Sequence, residues 1–119
     1  MNINPTYSEF VAALAKPGMQ IIVDLTPKKA HNLHMALGIS GEAGELLDAV
    51  KKEGIYNKEI KRENVIEELG DLEFYIEGLR QSLGISREEC ILANRIKLAK
   101  RYQSLIYSNQ AAQDRADKA

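Results

Sequence analysis

An apolar stripe in the second half of the chain constrains the fold more than any other feature. Its members recur at alternating steps of four and three residues: Val65, Leu69, Leu72, Ile76, Leu79 and Leu83. This spacing is typical of a helix that packs one face in a bundle. We predict a helix that starts within the segment YNKEIKREN and runs to Ser82. Gly84 closes it, because glycine readily adopts the left-handed conformation found at helix ends.

A cap signal with proline opens the first predicted helix. Asn4 would cap this helix, with Pro5 as its first residue, and the pair Pro17-Gly18 would stop it near residue 16. The apolar stretch MQIIVDL follows. Because one strand cannot form a sheet, we expect this stretch to be a connector, either extended or a loop packed on the core.

Two more helices are predicted from their capping residues. Thr26, followed by proline, opens a helix that runs to about Glu53, with Gly54 after its last turn. Ser86 and Glu89 form a capping box at the start of the last helix. The apolar residues of this last helix are Ile91, Leu92, Ile96, Leu98 and Leu105.

Together these elements predict an all-α fold that resembles a four-helix bundle. We expect a single α-helical domain over residues 1–107 and a polar tail over residues 108–119, frayed or disordered because it has little apolar surface to bury. A chain of 119 residues is long enough for one domain, but its core is not generous. Assembly into a dimer or tetramer, which buries more surface, is therefore expected.

Composition excludes several classes of protein. No apolar run approaches the roughly 18 residues of a membrane span, and the first ten residues lack the basic and apolar regions of a signal peptide. The single cysteine, Cys90, cannot form an internal disulfide, as is usual in a reducing cytosol, so we expect a cytoplasmic protein. Residues 40–77 carry eleven acids and five bases, whereas residues 78–119 carry eight bases and four acids. The acidic middle argues against a general nucleic-acid binder.

Two pairs of carboxylates, each three residues apart, lie on the two longest predicted helices. The pairs are Glu42 with Glu45, and Glu68 with Asp71. Residues three apart are neighbours on a helix surface, so antiparallel packing would place both pairs across one groove that flanks the apolar seam. Converging carboxylates raise one another's pKa unless a cation neutralises them, and oxygen ligands suit Mg²⁺ or Mn²⁺. A solvated acidic surface is the alternative interpretation.

Three glycines interrupt the first acidic helix. Gly38, Gly41 and Gly44 each cost about 1 kcal/mol relative to alanine in a helix interior. Small residues beside Glu42 and Glu45 would leave room for an ion and a bulky ligand. They could equally allow close helix–helix packing, and the sequence leaves both interpretations open.

The ordered set of motifs resembles the MazG-like, all-α nucleoside triphosphate pyrophosphohydrolases. The matching segments are GEAGELLDAVKK, EELGDLEFYIEGL, LGIS and NRIKLAKRY, within residues 31–102. The family signature pairs Glu-x-x-Glu on one helix with Glu-x-x-Asp on the next. The resemblance implies Mg²⁺-dependent hydrolysis of (deoxy)nucleoside triphosphates between the α and β phosphates, releasing a monophosphate and pyrophosphate. Such a reaction would control the nucleotide pool or remove damaged nucleotides.

The resemblance also implies roles for individual residues. The implied ligands of Mg²⁺, or alternatively Mn²⁺, are Glu42, Glu45, Glu68 and Asp71. A metal-bound water would attack, and the general base stays unassigned among these four carboxylates. The implied phosphate-binding residues, on one face of the last helix, are Asn94, Lys97 and Arg101. Further candidates for substrate contact are His34, Lys51 and Tyr102. Gly41 stands where the family has an additional glutamate, which leaves the number of metal ions open.

Two alternative functions stay open at the level of sequence. One is a non-catalytic helical module that binds nucleotide, metal or another protein, and the other is a related enzyme for a nucleotide-linked biosynthetic intermediate. His31 and His34 are disfavoured as zinc ligands, because no third nitrogen or sulfur ligand lies near them in sequence. There is no phosphate-binding loop motif either, so metal and side chains must handle phosphate. The expected partners are a nucleoside triphosphate and further copies of the chain, without nucleic acid or membrane.

Overall fold

The computed structural model describes residues 4–118, and these form helices, turns and connecting segments without a strand. The elements are α1 (Tyr7–Leu14), α2 (Gly18–Asp24), α3 (Pro27–Gly54), α4 (Arg62–Leu83), α5 (Arg87–Arg101), α6 (Asn109–Asp114) and a 3₁₀ turn (Ala116–Lys118). The predicted all-α class is confirmed. Residues 1–3 of the predicted domain and residue 119 of the predicted tail lie outside the described part.

The first helix starts later than the cap signal predicted. Thr6, rather than Asn4, is the N-cap of α1, because Thr6 and Glu9 form a reciprocal capping box. The Glu9 N–H donates to the Thr6 hydroxyl at 3.2 Å, and the Thr6 N–H donates to a Glu9 carboxylate oxygen at 3.3 Å. Two free N–H groups are thereby satisfied at once, which explains why this start is preferred.

The apolar stretch MQIIVDL does not form the predicted connector. All of it except Leu25, the C-cap, lies within the seven-residue helix α2, which Pro17 caps without a side-chain hydrogen bond. The backbone explains the difference: the N–H groups of Gln20 and Ile21 both donate to the Pro17 carbonyl oxygen, at 3.0 and 3.3 Å, and so close a first helical turn. A short run of branched apolar residues fits a strand or a helix equally well, so its composition alone does not separate them.

The longer helices begin and end close to where their caps predicted. Thr26 caps α3 by accepting a hydrogen bond from the Lys29 N–H at 3.2 Å, and Ser86 caps α5 within a capping box. Gly84 ends α4 with a φ of 67°, the left-handed conformation that favours glycine. Gly54 differs slightly, since it is the last residue of α3 and Ile55 caps the helix with right-handed backbone.

Helices α3 and α4 pack along each other as a hairpin, and this pair carries the main tertiary contact of the described chain. Met35, only 6% exposed, is the one buried apolar residue among residues 4–118. Two glycines allow the helices to approach closely: a Cβ at Gly38 would collide with the Tyr75 ring, and a Cβ at Gly78 would collide with the Met35 sulfur. For Gly38, the structure therefore supports the packing interpretation.

The seam between these helices follows the predicted apolar stripe at four of its six positions, because Ile76 and Leu79 are also half-buried and only Leu69 and Leu83 are exposed. On α4 the half-buried positions include Val65, Glu68 and Leu72, whereas Leu69 is 46% exposed although it belongs to the stripe. On α3 Glu42 is likewise half-buried. One carboxylate from each helix thus lies in the seam itself rather than beside it, which corrects the prediction that all four only flank it.

The segment predicted to be a frayed tail folds back on α5 in the structure. α6 and the 3₁₀ turn both contact α5. The Arg101 guanidinium donates two hydrogen bonds to Asp117, from Nε at 2.8 Å and from Nη2 at 3.2 Å. The Asp117 side chain is only 2% exposed. This bidentate ion pair is what fastens the polar segment to the end of α5.

A single chain leaves much of its apolar surface uncovered. On α5, Leu92 and Ile96 are 59% and 61% exposed, and the radius of gyration of 20.5 Å exceeds the roughly 13.5 Å expected for a compact chain of this length. The predicted helices are therefore present. Within one chain, however, α5 makes far less contact with α3 and α4 than these two helices make with each other. No helix in residues 4–118 has the length and apolar character needed to cross a membrane.

Candidate metal centre

Three carboxylates meet between α3 and α4. One oxygen from each of Glu42, Glu68 and Asp71 lies within 4.8 Å of the other two. Glu42 and Glu68 come together because they occupy facing seam positions on the two helices. Asp71 follows Glu68 by three residues, so it lies on the same side of α4 at the exposed edge of the cluster.

The two seam carboxylates have oxygens without partners. Glu42 Oε2 and Glu68 Oε2 are both buried, and neither accepts a hydrogen bond. An ionised carboxylate can only accept hydrogen bonds, and a buried acceptor left unpaired is destabilising. These oxygens need either a proton or a cation.

The Glu68 carboxyl responds to this environment with a raised pKa of about 7, against an ordinary value of 4.5. Desolvation by burial contributes most to the raised pKa, followed by the adjacent Glu42 carboxyl. The negative charges of Glu45, Glu42 and Asp71 raise this pKa further, in that order. All these causes penalise the ionised carboxylate, and a bound cation would reverse that penalty.

The donor set fits a hard divalent cation. Its ligand atoms are all carboxylate oxygens, which suit Mg²⁺ or Mn²⁺ rather than the nitrogen and sulfur sites of structural zinc. The two unpaired buried oxygens supply acceptors that nothing in the described residues satisfies. Glu42, Glu68 and Asp71 could therefore hold such an ion.

Glu45 lies at the border of the cluster rather than in it. It is exposed and lines a cavity of about 280 Å³ together with Asp48, Ala49, Lys52, Asn64 and Glu68. Its charge reaches Glu68 and contributes to the raised pKa of that carboxyl. Asp48 and Asn64 were not among the predicted site residues. Helical spacing could have found them, since Asp48 follows Glu45 by three residues and Asn64 precedes Glu68 by four.

The remaining glycines of α3 face open space. A Cβ added at Gly41 or Gly44 would meet no other atom within 4 Å. Gly41, the position where the MazG-like pattern has a further glutamate, thus leaves an open surface one residue before Glu42. Each interpretation therefore applies to different glycines. Gly38 allows the two helices to pack closely, whereas Gly41 and Gly44 leave open space.

The predicted phosphate-binding residues lie on a different helix from the cluster. Asn94, Lys97 and Arg101 belong to α5, and no α5 residue lines the 280 Å³ cavity. Asn94 instead borders an apolar cavity of about 710 Å³ on α5 itself. The Arg101 guanidinium pairs with the Asp117 carboxylate. This pairing raises the pKa of the guanidinium and lowers the pKa of the Asp117 carboxyl.

The three further candidates for substrate contact are also placed. The His34 ring is exposed and lies 6.1 Å from the Tyr75 ring, centroid to centroid. Lys51 Nζ lies 5.5 Å from the centroid of the Tyr56 ring. Tyr102 caps α5 and its ring lies 5.6 Å from that of Tyr107. None of the three lines the 280 Å³ cavity beside the cluster.

The fold and the cluster define an all-α protein with an acidic, oxygen-only centre between two packed helices. The family model of the MazG nucleotide pyrophosphohydrolase domain matches residues 30–106, about two thirds of the chain. The chain therefore belongs to the MazG family. No curated protein and no solved structure matches it.

Proposed function

We propose that the protein hydrolyses (deoxy)nucleoside triphosphates to a nucleoside monophosphate and pyrophosphate, with Mg²⁺ as cofactor. The observation that carries this proposal is the convergence of Glu42, Glu68 and Asp71 in a chain of the MazG family. The reaction adds water to the α-phosphorus and breaks its bond to the oxygen that bridges to the β-phosphorus. It would act on the nucleotide pool of the cytoplasm.

The carboxylates have separate tasks in this proposal. Glu42, Glu68 and Asp71 hold the cation, and Glu45 borders the space that the substrate enters. When bound, Mg²⁺ neutralises the phosphate charge and lowers the pKa of a coordinated water. The burial of Glu42 and Glu68 fixes their side chains in the seam, so the site needs little rearrangement when the cation binds. The general base is one of the four carboxylates.

Phosphate contacts from α5 would come from a neighbouring chain. Asn94, Lys97 and Arg101 do not line the cavity beside the cluster in their own chain, so a second copy is the route by which they could reach it. The Arg101 guanidinium would have to leave Asp117 to bind phosphate with both of its donor groups.

The surface area of the chain supports assembly with further copies. The accessible surface is 9910 Å², whereas a compact monomer of 13.3 kDa is expected to expose about 6,400 Å². The excess of about 3,500 Å² per chain, or about 7,000 Å² for two chains, is larger than the 2,000–5,000 Å² that most obligate interfaces bury in total. We propose a homodimer or homotetramer that buries this excess.

Product analysis tests the proposed reaction. Purified protein is incubated with each common NTP and dNTP plus Mg²⁺, and pyrophosphate and orthophosphate are assayed separately. We expect pyrophosphate with an equal amount of monophosphate, abolished by EDTA and by Glu68→Ala. Glu67→Ala is the matched control, because this neighbouring residue is exposed and outside the cluster. Orthophosphate alone would show that another bond is cut. No turnover by folded protein would favour a binding module.

A further inference from the structure

The cavity beside the acidic cluster continues into a second cavity with the opposite charge. A cavity of about 210 Å³ shares Ala49, Lys52 and Asn64 with the 280 Å³ cavity. Its remaining lining residues are Lys58, Glu59 and Lys61. We call the two together the α3–α4 groove. Three acids, Glu45, Asp48 and Glu68, line one end of this groove, and three lysines with one glutamate line the other.

The basic end is built by the turn between the two helices. Asn57 has a φ of 51°, in the left-handed region, and this bend returns the chain toward α3. The Lys58 N–H then donates to the Lys52 carbonyl oxygen at 3.0 Å, which fixes the two lysine positions relative to each other. Lys61 completes the set as the N-cap of α4. Lysines separated by up to nine residues in sequence therefore border one small cavity.

The ammonium groups of the three lysines are not paired with carboxylates of the described residues. None of Lys52, Lys58 and Lys61 makes an ion pair within 4.0 Å in the described part of the chain. Glu59 is the one acid at this end, so the lysines outnumber it by three to one. The start of α4 adds to the positive potential, because Lys61 gives no side-chain cap to the first N–H groups of this 22-residue helix.

We propose that Lys52, Lys58 and Lys61 bind the β and γ phosphates of the substrate and hold the departing pyrophosphate. This assignment rests on the proposed function. It places the reacting phosphorus and the departing pyrophosphate at opposite ends of the groove. The α-phosphorus lies at the acidic end, where Glu42, Glu68 and Asp71 hold the cation. When water adds to it and the bond to the bridging oxygen breaks, that oxygen leaves with the pyrophosphate at the lysine end.

The geometry of α4 agrees with this direction. Lys61 precedes Glu68 by seven residues, which corresponds to about 10 Å along a helix axis. Asn64 lies between them and lines both cavities, so its amide can donate to a phosphate oxygen midway. Lys51, by contrast, is directed over the Tyr56 ring and lines neither cavity. Of the two adjacent lysines, the groove therefore includes Lys52 and not Lys51, a predicted substrate contact.

Binding of inorganic pyrophosphate tests the assignment without turnover. Calorimetric titration in the presence of Mg²⁺ compares the wild type with Lys52→Gln, Lys58→Gln and Lys61→Gln, and a separate titration measures binding of Mg²⁺ alone. We expect each variant to lose about tenfold in pyrophosphate affinity, the effect of one charge-assisted hydrogen bond, with Mg²⁺ binding unchanged. The KM for the triphosphate should rise by a similar factor.

The matched control is Lys28→Gln. Lys28 lies on the same helix as Lys52 but 24 residues earlier, about 36 Å away along the axis, so pyrophosphate affinity should not change. The conservative Lys52→Arg should retain most of the affinity. Wild-type binding of pyrophosphate by all three glutamine variants would overturn the assignment, even if the wild-type protein produces pyrophosphate from NTPs. Parallel loss of Mg²⁺ binding would also overturn it, because the lysines would then have a structural role.

The two proposals fail in distinguishable ways. If no NTP yields pyrophosphate but pyrophosphate binding still depends on the three lysines, the proposed reaction is wrong and the phosphate site stands. If NTPs yield pyrophosphate and the lysine variants behave as the wild type in both titration and KM, the reaction stands and the phosphate site is wrong.

Discussion

Glu42 and Glu68 occupy seam positions where a helix hairpin normally places apolar side chains. Each carries a buried oxygen without a partner, so the seam is destabilised there whenever both are ionised. A cation bound between the helices would remove this repulsion, and metal binding would thereby depend on the packing of α3 on α4. At the residue scale, Glu42 and Glu68 therefore belong both to the candidate metal site and to the contact between the two helices.

The pKa of Glu68 makes the stability of the metal-free protein depend on pH. Because the folded state holds this proton up to about pH 7 and the unfolded state only to about 4.5, the stabilisation is complete below pH 4.5 and is lost as the pH rises through 7. We expect the melting temperature in EDTA to fall over this range. Thermal melts at half-unit pH steps measure it.

Glu68→Gln should abolish most of this slope, because glutamine stays neutral. Added Mg²⁺ should stabilise the wild type more at pH 8 than at pH 5, since the ion competes with the proton for the same oxygens. Glu63→Gln, on the exposed first turn of α4, serves as the control that retains the slope. A melting temperature of the wild type that does not change between pH 5 and 7 would contradict the raised pKa.

Gly38 and Gly44 should respond oppositely to alanine. A Cβ at Gly38 meets the Tyr75 ring near its root, where it cannot swing aside, so overpacking of about 1–3 kcal/mol is expected. A Cβ at Gly44 meets nothing within 4 Å, so the helix propensity of alanine should stabilise the protein by up to about 1 kcal/mol. Chemical denaturation of the two variants measures both changes. Equal effects would mean that Gly38 is not a packing contact.

The acidic pairs could be recognised from the sequence, but their depth in the structure could not. The i,i+3 spacing selected Glu42, Glu68 and Asp71, which converge in the structure, together with Glu45, which lies at the border of the cluster. The rule that apolar residues face the partner helix then placed Leu69 in the seam, whereas Glu68 occupies it and Leu69 is 46% exposed. That exchange depends on how α3 and α4 are rotated about their axes, which sequence periodicity constrains only loosely.

At the scale of elements, the segment after α5 is held by one ion pair. Arg101 is 17% and Asp117 2% exposed at the side chain, so both charges are largely removed from water and depend on each other. α6 has only six residues, too short to be stable alone. The ion pair is therefore the main support of residues 108–118.

Asp117→Asn should release this segment without unfolding the hairpin. The Arg101 guanidinium would lose its bidentate partner, and we expect the backbone hydrogen bonds of the segment, such as Arg115 N–H to the Ala111 oxygen, to lose hydrogen-exchange protection. Protection in α3 and α4 should not change. Asp114→Asn is the matched control, because Asp114 is exposed and accepts a hydrogen bond from Gln110 rather than an ion pair.

Acid should release the segment in the same way. Arg101 lowers the pKa of the Asp117 carboxyl, so the attachment is complete above the ordinary value of 3.8 and is lost as the pH falls through the lowered value. Protection that survives in Asp117→Asn would show that other contacts hold the segment.

Element boundaries were predictable where a side chain makes the cap. Thr26 and Ser86 cap α3 and α5 as predicted, because a cap depends on residues within one turn of each other. The helical form of MQIIVDL and the folding back of the tail were not predictable in this way. The first depends on the backbone turn after Pro17, and the second on a contact between residues 101 and 117 that no local pattern encodes.

At the scale of the whole molecule, the core within one chain is small. Met35 is the one apolar residue below a tenth exposed among residues 4–118, and a two-helix hairpin buries little surface. Under the proposed assembly we expect folding to be coupled to association, so that the stability of the protein rises with its concentration. The sequence had indicated a modest core, but helical periodicity does not specify which helices pack together, so the arrangement of α5 away from the hairpin could not be predicted.

The excess surface of about 3,500 Å² per chain amounts to about 7,000 Å² for two chains, more than the 2,000–5,000 Å² of most obligate interfaces. Either one very extensive dimer interface or the two interfaces of a tetramer would bury it.

We expect light scattering after size exclusion to give a mass of two or four chains at micromolar concentration. Ile96→Glu places a charge on an apolar side chain of α5 that is 61% exposed in the monomer, so it should dissociate or unfold the assembly. Lys100→Glu, on the polar surface of the same helix, should leave the mass unchanged. A folded, helical monomer at these concentrations would contradict the proposed assembly.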